Sequence, residues 1–97
     1  MYIIIYIIRM KIKNGFELRE VCGENVIIAH GVDNIDFTKV ISLNESAAFL
    51  WKQVSGLEFS EEDLVQLLLG EYEVEESQAA EDVKALLTQW KAEGLVE

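Results

Sequence analysis

The chain contains no proline, one cysteine (Cys22) and one histidine (His30). A single cysteine excludes an internal disulfide, and with one histidine there is no ligand cluster for a structural zinc. Cys22 therefore reads as a small residue at a strand end, not a reactive thiol. His30 reads as a solvated turn residue, because no nucleophile or second base stands near it in sequence. No apolar run approaches the ~20 residues of a membrane-spanning helix, and there is no basic n-region or small-residue cleavage site of a signal peptide. The cytoplasm is the expected location. A glycine-rich phosphate loop is also missing. What is present is a globular composition: half of the 97 residues are apolar, enough for one domain with one core. That size is too small for a deep substrate cleft of the usual enzyme kind.

Bases are scarce, and unevenly so. Residues 1–57 hold six acids and six bases, whereas residues 58–97 hold twelve acids against only Lys84 and Lys91, which places the whole net charge of −10 in the second half. Binding to a phosphate backbone needs the opposite sign, so nucleic acid is disfavoured as a partner. The acids read mainly as a solvated helix surface that can also repel or select charged partners. Glu61, Glu62 and Asp63, like Glu73, Glu75 and Glu76, are adjacent on exposed turns and not paired across a cleft. Ser42 and Ser46 have no partner histidine at a recognisable spacing. The sequence predicts no catalytic, cofactor or metal site and therefore no enzyme.

Residues 2–8, YIIIYII, form an uninterrupted apolar run. Met10 opens a more ordinary beginning, MKIKNGFEL, so residues 1–9 are expected to be an upstream extension and 10–97 the domain. The alternative is a genuine extra strand, covered within the chain or by a second copy, since an uncovered one would aggregate.

From Phe16 the chain reads as short strands. Residues 16–21 alternate loosely, Gly23, Glu24 and Asn25 are expected to turn, and residues 25–29 follow as the second strand of a hairpin. GVDNID at 31–36 is turn chemistry leading to a third strand over about 38–43, whose outer edge is unpaired in a simple meander. LNESAAFLW at 43–51 then switches to helical spacing, with Leu43, Ala47, Leu50 and Trp51 on one face, Asn44 as N-cap and Gly56 as terminator. Leu57 is expected to pack back near Trp51. A second helix over about 60–69 is announced by Ser60 and Asp63 as a capping box and by Phe59 and Leu64 as a staple, with Gly70 as its stop. A third helix starts between 75 and 77, carries Ala79, Val83, Leu86, Leu87 and Trp90 on one side, and ends at Gly94 with Leu95 over Trp90. The fold class is α+β: a three-stranded antiparallel sheet followed by three helices, winged-helix-like. Such an open edge beside a long helix can accept an extended peptide as an added strand.

Three stretches carry a family resemblance: LN-x-S-A-x-x-L-W at 43–51, LEFSEEDL at 57–64, and EYEVEESQAAEDVKALLTQWKAEGLV at 71–96, with Tyr72, Val74, the Asp82-Val83 pair and Gly94-Leu95. Together they closely resemble the PqqD-like family, over about residues 10–97. The resemblance implies a peptide-recognition element that binds the leader of a ribosomally made precursor peptide. It would present that peptide to a modifying enzyme, often a radical S-adenosylmethionine protein with iron–sulfur clusters. It also implies that the leader adds beside the third strand in a groove walled by the third helix. By position this places Lys39, Val40, Ile41, Ser42 and Leu43 at the edge and Val83, Lys84, Leu87 and Trp90 on or near the wall. Val83, Leu87 and Trp90 compete for a second role, because the same stripe must hold the helix down. Two other classes stay open: an interaction or homodimerisation module pairing through residues 2–8 or the sheet edge, and a winged-helix regulator, which the acidity of the second half opposes.

Overall fold

A two-residue loop sets the geometry of the sheet. In the computed structural model, which describes residues 9–29 and 40–97, β1 (Phe16–Val21) and β2 (Glu24–Ala29) are joined by Cys22 and Gly23, with φ of 53° and 80°. Two successive positive φ values give the type I′ turn, whose twist matches that of the flanking strands. The turn thus lies earlier than the expected Gly23 to Asn25, and Asn25 is already in the ladder opposite Glu20. β3 (Val40–Leu43) pairs antiparallel with β2, giving the order β1-β2-β3. The 31–36 turn, His30, Thr38 and Lys39, and the run at 2–8 lie outside the described residues. Alternation along the strands puts Phe16, Leu18, Ile27, Ile41 and Leu43 on the core side.

Three helices follow: α1 (Glu45–Val54), α2 (Glu61–Glu71) and α3 (Glu76–Ala92). α1 lies against β1 and β3, while α2 and α3 pack chiefly on each other. Asn44 caps α1, its Oδ1 accepting from the Ala47 N–H at 2.8 Å. Ser60 and Asp63 form the expected reciprocal box: Ser60 Oγ accepts from Asp63 N–H at 3.1 Å, and Asp63 Oδ2 accepts from Ser60 N–H at 2.9 Å. At the end of α3, Gly94 adopts φ 71°, the Leu95 N–H donates to Trp90 O at 2.9 Å, and Gly94 N–H donates to Lys91 O at 3.1 Å. These are the two bonds of a Schellman cap, and Leu95 is fully buried at its expected place.

Two expectations fail. Leu57 does not pack back into the core beside Trp51: it is 59% exposed and lies outside the core cluster. Gly70 does not stop α2, which runs on to Glu71. The stop is Tyr72, extended at φ −121° and ψ 149°, with its N–H still bonded to Leu68 O. Gly70 lacks the positive φ that a C′ glycine supplies.

One element goes beyond the sequence reading. Met10 exchanges two backbone hydrogen bonds with Phe59 (2.7 and 2.9 Å) and Lys11 exchanges two with Glu97 (2.9 and 2.8 Å), while the Lys13 N–H reaches Leu95 O at 2.9 Å. Residues 10–13 therefore form an extended arm between the approach to α2 and the chain end. Met10 and Ile12 are buried in the core, and Lys11 and Lys13 are exposed.

Candidate functional site

Which backbone groups of β3 are free follows from the Cys22–Gly23 loop. A two-residue loop is closed by a pair that exchanges both hydrogen bonds, here Val21 and Glu24. Alternation then points the N–H and C=O groups of Val26 and Ile28 toward β1, and those of Asn25 and Ile27 toward β3. Asn25 is opposite Leu43, and Ile27 is opposite Ile41. Ile41 and Leu43 therefore spend their backbone groups on β2, whereas Val40 and Ser42 direct theirs to the outer edge, which no strand among the described residues covers. The side chains divide the same way: Leu43 is buried and Ile41 half-buried, while Ser42 is exposed and Val40 is 56% exposed.

Asn44, the residue after β3, lines a groove of about 500 Å³ between α1, the end of α2 and α3. Leu50, Leu68 and Val83 belong both to the core and to its floor, with Tyr72 and Val74 on the α2–α3 connection. Tyr72 meets Phe49 edge to face, with centroids 5.8 Å apart, which fixes its ring at the groove wall. Asn44 and Ser46 form the polar rim on one side, the Ser46 hydroxyl donating to Asn44 Oδ1 at 3.1 Å. On the other side α3 contributes Asp82, Ala85, Leu86 and Gln89, spaced as neighbours on one helical face. Gln78 Nε2 donates to Asp82 Oδ1 at 2.9 Å.

The predicted wall residues are distributed differently. Leu87 and Trp90 are buried in the core and do not line the groove, and Val83 reaches it only as floor. Lys84 is exposed but outside the lining, and Lys39 lies outside the described residues. The stripe that holds α3 down thus differs by one position from the stripe that faces the groove. Sequence reasoning missed Tyr72, Val74, Asp82, Leu86 and Gln89 as lining. A signal for them existed, since Tyr72, Val74 and Asp82 are among the residues that carry the family resemblance. Among the described residues no group of three or more His, Cys, Asp or Glu could hold a metal, and no helix is long and apolar enough to cross a membrane.

A family model described as coenzyme PQQ synthesis protein D (PqqD) matches residues 24–96. No curated protein matches the chain. Among solved structures, a chain of lasso peptide synthetase B1 complexed with the leader peptide is similar, at 25% identity and a TM-score of 0.68, over 91% of this chain and 96% of that one. TbiB1 in complex with the TbiA(beta) leader peptide has the same fold, at 18% identity and a TM-score of 0.69, over 90% and 94% of the two chains.

Proposed function

The chain belongs to the PqqD family, and on that premise we propose that it captures the leader of a ribosomally made precursor peptide by strand addition and presents it to a modifying enzyme. The observation that carries this reading is the pair Val40 and Ser42, whose backbone donors and acceptors face the outer edge of a strand that ends beside Asn44, on the rim of an apolar-floored groove. An incoming extended segment would complete the ladder and place a side chain between Leu50, Tyr72, Val83 and Leu86. The similar lasso peptide synthetase B1 structure, which contains a leader peptide, supports the same reading. Each added backbone bond contributes only about 0.5–1.5 kcal/mol net. Val40 and Ser42 offer up to four such bonds, together about 2–6 kcal/mol, and burying one apolar side chain in the groove would add about 1.5–3 kcal/mol.

In this reading the chain is not itself catalytic: it contributes position, and the bond-making chemistry belongs to its partner. A radical S-adenosylmethionine enzyme is the partner class that the family suggests. The test uses peptides selected on the folded protein from a displayed random library, measured by calorimetry against Val40→Pro. Proline at the outward-facing first position of β3 spares the internal ladder and removes one edge donor. Val40→Pro should keep its circular dichroism spectrum and lose affinity. Unchanged affinity in that folded variant would rule out strand addition at this edge.

A further inference from the structure

We infer that the groove selects a leader in which an apolar anchor residue is flanked by lysine or arginine, with Asp82 as the specificity-determining residue. This rests on the strand-addition reading and adds the charge of the ligand to it. Asp82 is the one charged side chain lining the groove, and no lysine, arginine or histidine lines it among the described residues. Gln78 holds its Oδ1, but no ion pair between described residues neutralises it, and its side chain is exposed.

The neighbouring cleft continues the same sign. It shares Asn44 with the groove, is bounded by Ser42 and Leu43 of the strand, and among the described residues is lined by Glu20, Glu24 and Glu45 with Lys52. A peptide lying along the outer edge of β3 and entering the groove would meet Asp82 on its α3 wall, while Glu20 and Glu24 lie on the other side of β3. The feature that would favour an anion, the positive end of the α1 dipole at Asn44 and Ser46, carries Glu45 in its first turn. Its pull on a leader carboxylate is therefore opposed on the spot. An acidic leader would meet the Asp82 carboxylate in the groove, and like-charge juxtaposition is what excludes wrong partners.

Surface charges act within the Debye length, about 8 Å at physiological ionic strength, so this selection must be salt-sensitive. The experiment pans the displayed random library separately on the unmodified chain and on Asp82→Lys, a substitution at an exposed helical position. Peptides from the unmodified chain should be enriched in lysine or arginine beside an aliphatic or aromatic residue. They should lose about tenfold in affinity for Asp82→Lys at low ionic strength, with an intermediate loss for Asp82→Asn. At about 1 M salt, where the Debye length is ~3 Å, the gap should close. Peptides that need the Val40 edge but show no basic excess, or that bind Asp82→Lys equally well, overturn the charge selection and leave strand addition standing. Peptides indifferent to Val40→Pro overturn strand addition itself, and this inference falls with it.

Discussion

Trp51 of α1 and Trp90 of α3 meet edge to face at the centre of the core, with ring centroids 5.2 Å apart and planes at 85°. Trp51 is nearly and Trp90 fully buried, so the pair joins the helix that lies on the sheet to the helix that walls the groove. Trp51→Ala removes this ring without a replacement and should cost about 3–5 kcal/mol, a large share of a small domain's stability. Urea denaturation checks this, and near-native stability would show that the contact is dispensable. The Trp90 Nε1–H is buried without a hydrogen-bond partner among the described residues. Trp90→Phe, which removes that donor and keeps an aromatic ring, should therefore cost less than half as much as Trp51→Ala.

The Ser60–Asp63 box stabilises the start of α2 directly beside Phe59, which is tied to Met10. Ser60→Ala leaves the Asp63 N–H without its partner and should lower stability by about 1 kcal/mol. Ser60→Thr should recover most of that loss. Equal losses in the two variants would mean that the hydroxyl contributes nothing at this cap.

Two glycines should respond in opposite directions to the same substitution. Gly94 sits at φ 71°, so Gly94→Ala is strained and should destabilise by about 1 kcal/mol. Gly70 is helical and exposed, and a Cβ added there meets nothing within 4 Å, so Gly70→Ala should stabilise by roughly 0.4–1 kcal/mol. Thermal unfolding of the two variants gives the signs directly. A stabilised Gly94→Ala would contradict the Schellman cap.

We propose that the folded domain begins at the buried Met10, with residues 1–9 dispensable to it. Deleting 1–9 should leave the unfolding temperature nearly unchanged and improve solubility, because an apolar run is lost without loss of core. Deleting 1–13 should destabilise strongly, since it removes the side chains of Met10 and Ile12 and the backbone bonds to Phe59, Leu95 and Glu97. A large loss from the shorter deletion would make residues 2–8 an integral strand.

The amino-acid sequence by itself determined the features whose partners lie within one helical turn. Asn44, the Ser60–Asp63 box and the Gly94–Leu95 cap are short-range hydrogen-bond arrangements, and all three are found where the spacing predicts them. The strand at Phe16–Val21 and the apolar stripe of α3 were also legible from local pattern. Tertiary structure decided the rest. The Met10-Lys11-Ile12-Lys13 alternation is present in sequence, yet its partners Phe59 and Glu97 are remote along the chain, so nothing local marks it as a paired arm. Gly70 shows that a residue suited to ending a helix stays inside one when the chain beyond it keeps its bond, here from the Tyr72 N–H to Leu68 O. The outward position of Val40 and Ser42 depends on phase carried across two ladders from the Cys22–Gly23 loop, and a one-residue shift of that loop would reverse it. The groove is the least local feature of all. Asn44, Tyr72 and Asp82 become neighbours only when α1, α2 and α3 are packed, because helix packing, not sequence spacing, brings side chains from different elements to one surface.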